Sequence, residues 1–265
     1  MIPKIIHYCW YGGKPLPLLA ERCIDSWKKF CPDYKIIRWD EKNTDVTENS
    51  YISEAYINKK WAFVTDFVRL KVLYEYGGIY MDTDVEVCGS IDRFLRERAF
   101  SGFENEQQIP TGIMASEKGH PFIKLLLDYY DNKHFVQANG SFDQTTNVEI
   151  ITKIGLDNGL MLNDTKQSVF GMTFYPHDVF CPKNYFTGEI EWTSNTICIH
   201  HFAGSWKTEE EIEDWSISLR YNKILGNWLG RNIGEYMGAA KRGGVQGMIM
   251  ITKKKLVKII KKYLI

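Results

Sequence analysis

The 265-residue chain has no excess of either charge, since 33 Lys and Arg stand against 33 Asp and Glu. A balanced chain has no general attraction for a polyanion, and no basic stripe interleaved with aromatic residues occurs before the C-terminal end, so nucleic acid is not an expected partner. The six cysteines, Cys9, Cys23, Cys31, Cys88, Cys181 and Cys198, include no Cys-x-x-Cys pair. Several fall inside apolar runs, where a free thiol behaves as a small hydrophobe, which disfavours both zinc and a disulfide framework. No apolar run approaches the length needed to span a bilayer. The opening MIPKIIHYCW lacks the long apolar core and small-residue cleavage site of a secretion signal. The expectation is a chain made and kept in a reducing cytoplasm. Internal repeats and low-complexity segments are also missing.

What is present reads as globular: 44% of the residues are hydrophobic and 25% charged, enough for one large core with a small appendage. KIIHYCW predicts a strand closed by Gly12-Gly13, PLLAERCIDSWKKF a helix, and YKIIRW a second strand. This β-α-β opening favours a parallel sheet covered by helices. A helix from Ala62 to Tyr76, stopped at Gly77-Gly78, leads into the strand IYMD. AFSGF, TGIMAS and TICIHHF read as further strands, and PFIKLLLDYY and TEEEIEDWSISLRYNKIL as helices.

Directly after IYMD come Asp82 and Asp84, one residue apart. On a continuing strand their side chains would share a face and repel unless a cation lay between them. Aspartate is also a frequent turn residue, which is the plainer explanation. Paired carboxylates at the end of a sheet strand mark the ligand crevice of an open α/β fold, and hard oxygen ligands in small number suit Mg²⁺ or Mn²⁺ with a substrate diphosphate. In the preceding helix Asp66 and Arg69 share one face while Lys71 and Glu75 lie roughly opposite, so one polar face is left over after solvent is served. A surface ion pair is the plainer reading, against which stand Ala62 and Leu73 on that face in place of further charge.

The segments IPKIIHYCWYGGKPLP, WAFVTDFVRLKVLYEYGGIYMDTDVEV and IHHFAGSW, in that order, resemble the family-32 sugar-nucleotide glycosyltransferases of bacterial capsule and surface-polysaccharide clusters, and are similar also to the glucosylating domains of large clostridial toxins. The resemblance extends to about Trp206. It implies a GT-A-type α/β nucleotide-sugar-binding fold with a mostly parallel central sheet, and a UDP-sugar donor. On the matching positions it implies Trp10 stacked on the base, Asp66 and Arg69 in the donor site, Asp82 at the ribose or the metal, and Asp84 on the metal directly. It further implies His201 as third ligand with His200 as the alternative, Ser205, Trp206 and Lys207 at the departing phosphate, and Thr111 and Gly112 at the sugar pocket. A satisfied core histidine and a plain strand with a turn are the rival explanations for the last histidines and for Thr111-Gly112. The implied reaction is metal-dependent, retaining transfer of a hexose or N-acetylhexosamine to a capsular or surface polysaccharide, with Mn²⁺ or Mg²⁺ as cofactor. A sugar-phosphate transferase, a nucleotide-sugar hydrolase or a non-catalytic binding protein of the same fold are the alternatives.

One composition shift remains, at Lys241. Residues 241–265 carry eight Lys and Arg and no acid, and Ile251, Leu256, Ile259, Ile260 and Leu264 recur at spacing compatible with an amphipathic helix. The expected division is a glycosyltransferase domain over 1–240 and a basic tail over 241–265. That tail would hold the enzyme on an anionic membrane surface, at the inner face of the cell membrane beside a lipid-linked oligosaccharide acceptor; a solvated basic end is the plainer reading.

Overall fold

The computed structural model describes residues 1–205 and 207–263, without the side chains of Lys258, Ile259, Lys261, Lys262 and Tyr263. The chain divides into two compact units, Met1–Lys183 with Ile190–Ala203, and Asn184–Glu189 with Gly204–Ile265.

The first unit opens with β1 (Ile5–Cys9), α1 (Leu18–Phe30), β2 (Lys35–Trp39), α2 (Ser50–Ile57), α3 (Trp61–Tyr76), β3 (Gly78–Met81) and β4 (Val85–Val87). A one-turn 3₁₀ helix at Asp92–Phe94 precedes β5 (Ala99–Gly102), β6 (Ile113–Ser116), α4 (Pro121–Asp128), α5 (Asn147–Asp157), β7 (Gln167–Val169), β8 (Met172–Tyr175), α6 (His177–Phe180) and β9 (Cys198–His200). Seven strands form one sheet in the order β2-β1-β3-β6-β5-β8-β7, and β4 pairs with β9 in a separate ladder. In the large sheet β6 and β7 run against the other five strands, so the expected mostly parallel α/β sheet is what forms.

The strands alternate as a sheet covered on both faces must. Tyr80 of β3 packs into one core with Phe122, Tyr130 and Phe174, while its neighbours Ile79 and Met81 join Trp27, Phe100 and Phe180 in the other. Helix α1 buries Ala20, Cys23, Ile24 and Trp27, the i, i+3, i+4, i+7 stripe of an amphipathic helix. Its Trp27 indole N–H donates to Val85 O at 2.7 Å, and Ser26 Oγ accepts from Val87 N at 2.9 Å, so α1 holds β4 directly. Helix α3 is different: Val64, Asp66, Phe67, Val68, Arg69, Leu70, Val72 and Leu73 are all buried, so it lies inside the unit and its two charges must be satisfied there. It stops at Gly77 (φ 67°) because a Cβ there would sit 2.7 Å from Lys118 N, and Gly78 (φ 106°) meets Ile5 O just as closely.

The second unit is dominated by Glu209–Tyr263, helical but broken at Gly226 and again at Gly243–Gly244, where the backbone leaves helical angles. The first two legs run antiparallel in one register: Asn222 faces Gly230, Ser218 faces Gly234, and Asp214 faces Gly238, each filling the space a Cβ would need. The division by packing therefore falls at Gly204, ahead of the composition shift at Lys241. Lys241 and Arg242 pair with Glu213, Arg242 also reaches Asp214 at 2.8 Å, and Lys255 reaches Glu235 at 2.8 Å. Part of the basic tail is thus tied into its own unit; Ile259 and Leu264 of the expected apolar side lie outside the described side chains. Among the described residues no helix is long and apolar enough to cross a membrane.

Candidate active site at the carboxyl ends of the central strands

Strands β1 and β3 are parallel neighbours with Ile6 opposite Ile79 and His7 opposite Tyr80, so Trp10 and Asp82 emerge at the same, carboxyl, edge of the sheet. Ligand crevices of open α/β sheets form at this edge. Trp10 is half-buried; its indole N–H donates to Lys14 O at 2.7 Å, and its backbone N–H to Trp39 O at 2.9 Å.

After β3 the strand does not continue. Val85 N donates to Asp82 O at 3.0 Å, closing a tight turn over Thr83 and Asp84, and β4 then leaves to pair with β9. The expectation of two aspartates on one extended strand face is corrected here: Asp82 opens a tight turn and Asp84 lies within it. The turn still brings them together, because ligand atoms of Asp82, Asp84 and His200 all lie within 4.8 Å of one another. Val85 stands opposite His200 in the ladder, and His200 Nε2 is 3.4 Å from Asp84 Oδ1. Asp84 Oδ2 accepts from Ala203 N at 2.7 Å. Burial alone would raise the Asp84 pKa, but the His200 charge and these donors hold it down at about 2.

His201, expected as the third ligand, does not join this group. Its Nε2 is 2.8 Å from Glu86 Oε2, and its backbone N–H donates to Asp84 O at 2.9 Å. Successive residues of a strand face opposite ways, so one of the two histidines had to turn away. The ring of His200 fits because Gly112 has no side chain: a Cβ there would come within 3.0 Å of Nδ1 and Cε1. Nδ1 of His200 is buried and, among the described residues, has no hydrogen-bond partner.

Behind Asp82 lies a buried network. Arg69 Nη2 is 3.1 Å from Asp66 Oδ1 and 3.3 Å from Asp82 Oδ1, while Nη1 donates to Thr111 O at 2.7 Å and Thr111 Oγ1 at 3.0 Å. Tyr80 OH donates to Asp82 Oδ1 at 2.8 Å, and its ring lies 4.7 Å from the guanidinium. The surface ion pair is thereby overturned, since Arg69 and Asp66 are 5% and 9% exposed. Burial pushes the Asp66 carboxyl up to about 6 despite the adjacent guanidinium. Thr111 and Gly112, expected at the sugar pocket, are seen holding Arg69 and making room for His200.

Two residues near this centre carried no sequence signal. Lys183 Nζ donates to His201 O at 2.8 Å and feels the charge of Asp84, while burial lowers its pKa. Glu104 is bound by Gln108 Nε2 at 2.8 Å, and burial raises its pKa beside the opposing charge of His200. Ser205 and Lys207 belong to the second unit, where Ser205 is exposed and Lys207 donates to Tyr185 OH at 2.8 Å. Trp206 lies outside the described residues.

An Asp-x-Asp pair of this kind also marks a family of known proteins. Residues 17–101 match the family model described as glycosyltransferase sugar-binding region containing DXD motif. Inositol phosphoceramide mannosyltransferase 3 of Schizosaccharomyces pombe is 31% identical over 137 residues, covering 46% of this chain and 35% of that protein. Mannosyl phosphorylinositol ceramide synthase SUR1 of Saccharomyces cerevisiae is 31% identical over 147 residues, covering 51% and 37% respectively. The chain thus spans little more than a third of the length of these two relatives. Among solved structures it is similar to the PaToxG glycosyltransferase (TM-score 0.44, 18% identity, 59% of this chain and 68% of that one). It is similar also to a galactosyltransferase in complex with donor and acceptor sugar analogues (TM-score 0.43, 14% identity, 86% and 99%).

Proposed function

We propose that the chain transfers a glycosyl group from a nucleoside-diphosphate sugar to an acceptor hydroxyl, with a divalent cation held by Asp82, Asp84 and His200. The observation that carries this reading is the convergence of those three side chains at the carboxyl edge of the sheet, next to the buried Asp66–Arg69 pair. Two carboxylates and one imidazole fit Mn²⁺ better than Mg²⁺, which favours an all-oxygen shell. Such an ion, when bound, supplies charge neutralisation to a departing diphosphate.

The chain's own residues complete the arrangement. Arg69, fixed by Asp66 and Thr111, orients Asp82 by a charge-assisted contact. Lys183 adds positive charge beside Asp84. Trp10 offers an indole face at the same edge, suited to stacking on a nucleobase. No carboxylate is assigned as nucleophile, and the reading is front-face attack with retention, the acceptor hydroxyl losing its proton to the leaving phosphate.

In its finer form the proposal takes a UDP-hexose or UDP-N-acetylhexosamine as donor and a lipid-linked saccharide as acceptor, at an anionic membrane surface on the cytoplasmic side. A second reading has one specific support: the relatives named above are mannosyltransferases acting on inositol phosphoceramide, which favours a mannosyl donor and a lipid-borne acceptor. Incubation with UDP- and GDP-linked sugars and Mn²⁺, with and without lipid-linked oligosaccharide or inositol phospholipid, separates the readings by product. A glycoside supports transfer. Free sugar alone marks a hydrolase, sugar phosphate a phosphotransferase, and metal-independent binding without any product a non-catalytic protein.

A further inference from the structure

The three helical legs of the second unit sort their residues by level. The first two close at Gly226, and the third returns along the second, with Gly247 packed against Ala239, Tyr236 OH 3.1 Å from Thr252 Oγ1, and Lys255 at Glu235. At about 1.5 Å per residue this register carries Leu256, Val257 and Ile260 toward the level of the Gly226 turn, while Glu209–Asp214 stand at the far end.

The Gly226 end is apolar and cationic. Ile224 is 79% exposed and Trp228 75%, with Leu225 and Leu229 open beside them and Leu256, Val257 and Ile260 exposed on the third leg. From Trp215 to Gly234 the sequence holds Arg220, Lys223 and Arg231 and no acid; from Thr252 to Ile265 it holds six lysines and no acid. Five acids, Glu209, Glu210, Glu211, Glu213 and Asp214, gather at the opposite end. Arg220, Lys253 and Lys254 are exposed, and no carboxylate pairs with them among the described residues.

We propose that the closed end of this hairpin, Lys223 to Leu229 with Trp228 as its wedge, inserts into the headgroup region of an anionic lipid bilayer. An indole and branched aliphatic side chains at a helical turn, flanked by Arg220, Lys253 and Lys254, with Lys223 and Lys255 already paired to Glu189 and Glu235, match the boundary between acyl chains and negative headgroups. The sign segregation along the hairpin gives it one preferred orientation, basic end down. Small residues along the seam let the legs close without spending their large apolar side chains on each other, which leaves those groups on the outside. The inserting turn itself lies outside the lysine-rich tail, whose Lys253 and Lys254 add to the charge around it, and does not rest on the catalytic reading.

The test uses the full-length chain and vesicles of phosphatidylcholine with or without phosphatidylserine. Co-sedimentation is expected only with phosphatidylserine. Replacing both Ile224→Ser and Trp228→Ser should lower the partition coefficient by about tenfold or more, since two large apolar groups leave the interface, with no change in melting temperature. Trp228→Phe should still sediment but lose the part of the tryptophan emission that brominated lipid quenches. Equal sedimentation of wild type and the double serine variant overturns the proposal. So does a loss of binding in Lys253→Gln with Lys254→Gln while the apex variant binds normally, a result that would leave only the tail. Apex-dependent self-association with no vesicle binding overturns it in favour of a second copy of the chain.

Discussion

His200 Nε2 stands 3.4 Å from Asp84 Oδ1, whereas His201, the next residue, sends its ring to Glu86 at 2.8 Å. The ladder between β4 and β9 decides which of two adjacent histidines faces the aspartates. His200→Ala should therefore lower Mn²⁺ affinity by about 10–100-fold, and turnover with it. His201→Ala should leave Mn²⁺ affinity within about twofold of wild type. Titration of the free-Mn²⁺ electron paramagnetic resonance signal distinguishes them, and the reverse ranking would return the ligand to His201.

Gly112→Ala tests the same centre from the other side. The new methyl would come within 3.0 Å of the His200 ring, so the ring must shift by a few tenths of an ångström. The variant should keep its melting temperature to within a few degrees and lose metal affinity. A folded variant with unchanged Mn²⁺ binding would show that the ring position does not matter.

Arg69→Ala leaves Asp66 and Asp82 facing each other without their guanidinium. Removing one partner of a buried pair is severe, and the loss should be about 3–5 kcal/mol in urea unfolding. Arg69→Lys should be milder but still destabilising, because one ammonium cannot reproduce the fork to Thr111 and both carboxylates. Equal stability of all three proteins would remove the network from the fold's support.

His7 sets a pH dependence of stability. Its ring is fully buried, accepting at Nδ1 from the Trp39 indole N–H at 3.0 Å and donating from Nε2 to Gly77 O at 2.9 Å, so the neutral tautomer is satisfied and an added proton would meet a donor. Burial, opposed by the Gly77 bond, lowers its pKa from 6.5 to about 4. The folded value lies below the unfolded one, so the unfolded chain binds the proton first. The contribution is fully present above pH 6.5 and is lost as pH falls toward 4, by up to about 3 kcal/mol. Unfolding free energies of wild type and His7→Gln measured from pH 7 to pH 4 should converge as pH falls, and parallel curves would reject the assignment.

Much of the first unit was legible because its signals are local. The strands of the β-α-β opening, the helix ending at Gly77-Gly78 and the Asp-x-Asp pair depend on short-range pattern, and Asp66 and Arg69 stood out as charges on a helix with no polar face left for them. Other features depend on pairing across long stretches of chain. Which histidine turns inward is set by register against β4, and the placement of Lys183 and Glu104 follows from loops that carry no motif. Thr111 and Gly112 were visible as a motif, but their seen contacts are with Arg69 and His200. The boundary at Gly204 is invisible in composition because the hairpin is held by glycines four residues apart, a spacing that reveals nothing until a partner leg supplies Asn222, Ser218 and Asp214.

The grip of α1 on β4 has a consequence for solubility. Strand β4 is half of a ladder of only two strands, and its outward groups at Val85 and Val87 would otherwise form an open edge able to recruit another chain. Trp27 occupies the carbonyl and Ser26 the amide, so that edge is capped by side chains of a helix. Trp27→Phe would keep an aromatic ring in the core, with some loss of volume, and yet uncap the edge. Such a variant should remain folded while gaining a concentration-dependent tendency to add strands, with the Asp84 turn one residue away from the first contact.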